Sequence, residues 1–427
     1  MKNWKELKNG LPSAIKGRIG MDISPANTDY LYALVEAEND QQGLYFSNNK
    51  GESWSKVNKY VTSGNYYQEV FCDPLDKNKV FFMDTWLHHT SDGGKTVVKT
   101  GEKSKHVDNH CIWVDPNDTE HWIVGCDGGI YETWDHAGNW HFKPNLPITQ
   151  FYKVAVDNDY PFYNVYGGTQ DNNSLGGPSR TINNHGIMNS DWYITNGGDG
   201  FESAIDTEDP NIVYAQSQYG WLVRYDRQSG ERVGIKPMAH DTMPPLRWNW
   251  DAPLLISPHN NKRLYFAANR LFRSENRGDQ WKCISPDLSQ QIDRNKLSVM
   301  GRVQSADAVM KNKSTTMYGN IVALDESPLQ EDLLYVGSDD GLIHVTENAG
   351  GQWSTYSKFK GIPENTYVNA LIASKHNVNT VYAVFNNHKN GDFKPYVMVS
   401  NDKGKNWKSI SANLPTRGTV YDLAEDH

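Results

Sequence analysis

The chain has 427 residues, with 42 Lys and Arg against 51 Asp and Glu and a formal net charge of −9. That sign, without a Lys/Arg block anywhere, excludes a protein whose affinity comes from releasing phosphate counterions, so no nucleic-acid partner is expected. No apolar run reaches the roughly 18 to 20 residues of a membrane span, and the opening "MKNWKELKNG" lacks the apolar core of a signal peptide.

Short runs of Val, Ile, Tyr, Phe and Trp are cut throughout by Asn, Asp, Gly and Pro, which predicts many short strands and an all-β fold. "NWKELKNGLP" at residue 3 matches "NWKSISANLP" at 406, so residues 1–11 are expected to form the outer strand of a partial blade. From 12 to 415 one unit recurs eight times: an apolar run, a turn with Pro, Asp or Asn, a second apolar run and a Gly-rich turn. It reads "MDISPANTDYLYALV", "VFCDPLDKNKVFFMD", "IWVDPNDTEHWIVGC", "VAVDNDYPFYNVYGG", "SAIDTEDPNIVYAQS", "LLISPHNNKRLYFAA", "VALDESPLQEDLLYVGS" and "LIASKHNVNTVYAVF". The turns fall at 24, 73, 115, 157, 206, 257, 325 and 374, a period of 42 to 51 residues with one interval of 68. That is the length of a four-stranded β-propeller blade, with strands a to d running from the axis outward. Residues 416–427, ending "TVYDLAEDH", are expected to be the first strand of a further partial blade, so the chain reads as an internal fragment of a larger or double propeller.

Six units close on an octet of the form SxDxGxxW: Ser47/Asn49/Gly51/Trp54, Thr90/Asp92/Gly94/Val97, Thr133/Asp135/Ala137/Trp140, Ser274/Asn276/Gly278/Trp281, Thr346/Asn348/Gly350/Trp353 and Ser400/Asp402/Gly404/Trp407. Placed between strands c and d, the Asp or Asn can bond backbone N–H groups of its own turn, Gly supplies a positive φ, and the hydroxyl adds a local acceptor. The Trp starts strand d and is expected to pack between blades, as is Trp4. The octets therefore specify architecture rather than activity.

Cys111 and Cys126 flank the turn at "PNDT" and are expected to face each other as buried thiols. CxxC and HExxH spacings are absent, so neither metal nor cofactor is expected. His106, Asp108 and His110 in "KHVDNH" read as surface polar residues.

In a propeller the b–c turns and d–a connections emerge opposite the octets, around the channel mouth, where ligand sites are favoured. The b–c turns supply Asp84, Trp86, Asp127, Gln170, Asp171, Asn269, Arg270, Asp339 and Asp340. The d–a connections supply Gln150, Tyr152, Asp199, Arg247, Trp248, Trp250 and Asp251. Asp127, Asp339 and Asp340 read as tight-turn residues. Asp171, Asp199 and Asp251 sit in longer Gly-, Asn- or Trp-rich loops of three successive units, and two of them on adjacent blades could stand roughly 5 to 10 Å apart, as glycoside hydrolysis requires. Trp86, Trp248 and Trp250, with Gln170, Arg247 and Arg270, make a candidate ligand-binding set, flat rings being able to stack on a sugar or grip a peptide.

The octet is the one named for bacterial neuraminidases, and it recurs in sialidases, xyloglucanases, photosystem II assembly factors and sortilin-type receptors. The stretches "GGTQDNNSLGGPSRT", "TNGGDGFESAIDTEDPNIVYAQSQYG", "NWDAPLLISPHNNKRLYFAANRLFRSENRGDQW" and "FNNHKNGDFKPYVMVSNDKGKNW" resemble a large family of bacterial Asp-box repeat proteins known as glycosyl hydrolase-like or sortilin-like. The resemblance implies an exported, secreted or envelope-associated protein. The Arg-Ile-Pro motif that opens a sialidase is absent. The expectation is a non-catalytic propeller that binds glycan or protein through its loop-rich face; the alternative is a glycoside hydrolase using Asp171, Asp199 and Asp251.

Overall fold

In the computed structural model, residues 3–63, 66–146, 148–240, 242–299, 301–309, 311 and 317–426 are described. They form eight four-stranded antiparallel sheets and one two-stranded hairpin, and in each large sheet the strands pair in the order in which they occur in the chain. These are β-propeller blades, numbered here 1 (16–58), 2 (70–99), 3 (109–142), 4 (153–196), 5 (200–234), 6 (254–283), 7 (321–356) and 8 (367–409). Two compact units are present: Met1–Ile148 with Asn295–Thr315, holding blades 1–3 and the hairpin Ser298–Val299/Arg302–Val303, and Thr149–Arg294 with Thr316–His427, holding blades 4–8.

Strand b is the most buried element of a blade; Leu31–Ala37, Leu264–Ala267 and Leu334–Ser338 are buried at every position. Successive side chains of a strand point to opposite faces, so one strand feeds two cores. In blade 6, Leu264 and Phe266 join the cluster with Tyr214 and Leu222 of blade 5, whereas Tyr265 and Ala267 join Leu334 and Val336 of blade 7. In the first unit, Val80 and Phe82 pack on Tyr32 and Leu34 of blade 1, and Phe81 packs on Ile112 and Trp122 of blade 3.

All six octets adopt one geometry. The Ser or Thr hydroxyl donates to the Asp or Asn Oδ1 and accepts the N–H of the fifth residue, and Oδ1 also accepts the N–H four residues beyond it, all at 2.8–3.0 Å. The fourth and fifth residues both lie at positive φ: Lys50 and Gly51 at +58° and +83°, and, in the copy without Gly, His136 and Ala137 at +53° and +69°. The bonds hold the acids ionised: Asp92 is kept down at about 2, chiefly by the Thr96 N–H and hydroxyl. That contribution is complete above the ordinary aspartate range and is lost as pH falls through about 2. Trp281 and Trp353 seal the interfaces of blade 6 with blade 5 and of blade 7 with blade 6, and Trp407 packs on the core shared by blades 7 and 8.

Four expectations differ. Trp4 is 89 % exposed rather than packed, because residues 3–11 form no strand that would hold it against a blade. The other expected terminal strand, 416–427, is likewise irregular over 416–426. Cys111 lies opposite Gly125, and a bulge brings Cys126 opposite Asn109, so the thiols do not face each other and both are free. The inner turn of blade 7 begins at Ser327, two residues beyond the position read from the repeat.

Gly350→Ala should lower stability by about 2 kcal/mol or more, because its φ is +89° and a Cβ would stand 2.1 Å from the Ile284 carbonyl oxygen. Ala137→Gly should stay within about 1 kcal/mol of the parent. Urea midpoints of the two variants measure the contrast.

Candidate functional site

With the octets at one end of each blade, b–c turns and d–a connections share the other end and bond to each other. In the first unit Ser63 N–H donates to Asp84 (3.3 Å), and Asp127 N–H donates to the Asp108 carbonyl (3.2 Å). Trp86 is there too, 43 % exposed, with the Lys99 ammonium 3.1 Å from its ring centroid. In the second unit Gln290 N–H donates to Asp340 (2.7 Å), and Arg247 N–H donates to Asn269 (2.9 Å).

The three aspartates of the second unit separate into two places. Asp171 takes φ +60°, and its N–H donates to the Asp199 carboxylate at 2.8 Å, while Asp199 N–H donates to Gln218 at 3.0 Å. Asp199 is thus a buried loop tie. Asp251 accepts from the Gln216 amide (3.3 Å) and pairs with Lys153 (3.1 Å).

Lys153 is the centre of a constellation that the residue types alone did not single out. It opens the inner strand of blade 4 and lies 3.4 Å from Glu202, on the inner strand of blade 5, as well as against Asp251 at the threshold of blade 6. Glu202 also accepts the Leu254 N–H of blade 6 (3.3 Å), bridging two inner strands. The three side chains keep 41, 27 and 29 % of their surface in solvent. Burial raises the Glu202 carboxyl above the usual glutamate range, with Lys153 opposing and Asp251 adding to the shift. One ammonium thus faces two carboxylates. Tyr367, first on the inner strand of blade 8, belongs to the same surroundings: burial raises its hydroxyl, followed by the fields of Asp251 and Asp339. A positional signal was available, because Lys153 and Glu202 each stand four residues before the turn aspartates Asp157 and Asp206. Glu69 holds that place before Asp73 and pairs with Arg18 at 2.7 Å.

The expected binding residues divide by environment. Trp248 is 8 % exposed and packs on Phe266 at 5.0 Å, and Gly220 is needed beneath it because a Cβ there would be 2.4 Å from the indole. Trp250 is half-buried beside Tyr219 (4.9 Å) and Phe201 (6.3 Å). Arg247 is committed to Asp287 (2.9 Å), Ser289 (2.7 Å) and the Gly319 carbonyl (3.2 Å). Arg270 reaches the Ser285 carbonyl at 3.4 Å and keeps a buried Nε without a partner. Gln170 is exposed and accepts the Tyr152 hydroxyl. Asp339 accepts the N–H groups of Gly319 and Asn320, and burial pushes it up to about 7. Asp325, on the inner strand of blade 7, is also pushed up to about 7 by burial while it accepts the Ala373 N–H of blade 8 at 2.7 Å. Among the described residues no cluster of His, Cys, Asp and Glu could hold a metal ion.

No family model matches the chain, and no curated protein matches it in sequence. Among solved structures it is similar to a GH74 enzyme of Niastella koreensis, with 11 % identity and a TM-score of 0.26 over 91 % of this chain and 71 % of that one. It is also similar to the GH74 xyloglucanase of Xanthomonas campestris (13 %, 0.24, 94 % and 61 %) and to YCF48 of Cyanidioschyzon merolae (11 %, 0.28, 88 % and 95 %). At these values the likeness says nothing of what this chain binds or does, and the blade architecture stands on the strand ladders themselves. No helix of the described residues is long and apolar enough to cross a membrane.

Lys153→Met leaves Glu202 and Asp251 without their shared cation, and should cost about 1–2 kcal/mol at neutral pH, less than a fully buried pair because solvent reaches all three groups. Adding Glu202→Gln should recover most of it, read from urea midpoints. A carboxyl raised in the folded state takes up its proton on folding, so the contribution of Asp325 to stability falls as pH rises from about 4 to about 7. Asp325→Asn should therefore narrow the difference in thermal midpoint between about pH 5 and about pH 8.

Proposed function

We propose that this chain is a recognition propeller that binds a glycan or a protein through its loop end and catalyses no reaction on it. The observation that carries the reading is the position of the Lys153 ammonium, against both Glu202 and Asp251. A hydrolase needs the space between its two carboxyl groups for the scissile bond, and here a cation of the chain itself lies against both. The engagement of Asp199 by a neighbouring loop supports the same reading. Gln170, Trp250 and Tyr367 supply polar and aromatic contacts in the second unit, and Trp86 in the first. A secreted or envelope-associated location goes with this proposal on the resemblance to exported Asp-box proteins.

One observation favours a second reading, glycoside hydrolysis. Burial raises the Glu202 carboxyl above the usual glutamate range, and because both carboxylates touch one ammonium they lie within about 7 Å of each other. Glu202 would then be the acid and Asp251 its partner, in place of the Asp171, Asp199 and Asp251 set. A glycan array and a polysaccharide hydrolysis screen on the parent, Asp171→Asn and Asp251→Asn separate the two. Binding by the parent without turnover supports recognition. Turnover by the parent that is lost in Asp251→Asn overturns it in favour of the hydrolase.

A further inference from the structure

A second constellation stands at the loop end of the first unit, where residues 59–63, 66–69 and 100–108 meet the b–c turns of blades 2 and 3. The His110 Nε2 pairs with Asp127 at 2.8 Å, and the ring stands edge-on to Tyr66 at 5.2 Å and tilted against Tyr67 at 5.4 Å. Tyr66 and Tyr67 are themselves perpendicular at 4.9 Å. Tyr67 is 4 % exposed, and its hydroxyl donates to Asp108 at 2.6 Å, which fixes the floor; Tyr66 is 47 % exposed and forms the wall. The backbone is strained on both sides of this floor, with Gln68 at φ +133° and Asp108 at φ +63°. Neither residue gains local stability from such a conformation, so the surrounding bonds are spent on holding these side chains in place.

The geometry points to a sugar-binding subsite here, in which one ring of a neutral or amino-bearing oligosaccharide stacks on Tyr66 and bonds to the His110–Asp127 pair. An exposed, immobilised aromatic ring offers its face to the C–H groups of a pyranose. The His110 side chain keeps 35 % of its surface in solvent, and its Nε2 is the nitrogen that pairs with Asp127. The sign of the surroundings selects among sugars: Asp108 and Asp127 bond the cluster directly, whereas Arg18 and Lys105, the cations bonded to these segments, are paired with Glu69 and Glu102, so a uronate or sialate is disfavoured at the His110–Asp127 pair. This subsite lies within the first unit and does not depend on the Lys153 cluster of the second.

The test is titration calorimetry of the full chain with cellotetraose, mannotetraose, chitotetraose and tetragalacturonate. At least one of the first three should bind and tetragalacturonate should not. Tyr66→Ala and His110→Ala should each weaken that binding about tenfold or more, the loss expected for one stacking face or one charge-assisted hydrogen bond. Tyr66→Phe should retain it, since the ring face remains, and Trp4→Ala, an exposed aromatic outside the cluster, should leave it unchanged. Unaltered thermal midpoints exclude misfolding as the cause. Absence of binding to all three neutral or amino sugars at millimolar concentration, a preference for tetragalacturonate, or full affinity in both alanine variants would each overturn the proposal.

Discussion

A single hydroxyl that gives one hydrogen bond and receives another decides the shape of six of the eight blades. In each octet the Ser or Thr oxygen accepts a backbone N–H held at positive φ and donates to the Asp or Asn oxygen, which in turn closes the turn four residues on. The turn leads the chain into an outer strand only two to four residues long, as at Val98–Lys99 and Ser55–Asn58. Strands so short cannot define their own register; the clasp defines it for them and delivers the last octet residue, Val97 in blade 2 and Trp in the other five, to a buried core cluster. Blades 4 and 5 lack the octet and close differently, blade 4 through the long loop 179–192 and blade 5 through a turn in which Asp226 accepts the Gln228 and Ser229 N–H groups.

Fixing one end of every blade leaves the inner strands with an exposed edge, which a propeller has to satisfy without a further strand. The chain does so with carboxylates that reach from one inner strand to the backbone of the next: Asp22 to Cys72 (2.8 Å), Glu202 to Leu254 (3.3 Å) and Asp325 to Ala373 (2.7 Å). These bridges bring acid groups into a poorly solvated place, and burial raises both Glu202 and Asp325 in consequence. The same requirement accounts for Lys153, which offsets the charge that such a bridge accumulates. The polar character of this region therefore follows from the architecture, and any recognition by the second unit uses groups that the sheet edges already needed.

Much of this was legible in the sequence. The octets specified their own hydrogen bonds, and the rule that b–c turns and d–a connections share one end grouped Asp171, Asp199 and Asp251, of which Asp171 meets Asp199 while Asp251 stands with Lys153. Lys153 and Glu202 were not visible because an isolated charge on an inner strand has no motif; only alignment of the repeats at their turns places the two at one level. The pairing of His110 with Asp127, rather than with its sequence neighbour Asp108, depends on which loops approach each other, information that spacing along one strand does not contain. The offset of Cys111 from Cys126 came from a bulge, which a count outward from the turn could not register.

The claim that the octets act as clasps is tested most directly by residue-resolved amide hydrogen exchange. The account predicts strong protection at the amides received by the octet hydroxyls, those of Gly51, Gly94, Ala137, Gly278, Gly350 and Gly404, and at the surface amides of Ser53, Thr96, Asn139, Gln280, Gln352 and Asn406, whose side chains alone would suggest fast exchange. Exchange at these positions as rapid as in an unstructured chain would contradict it.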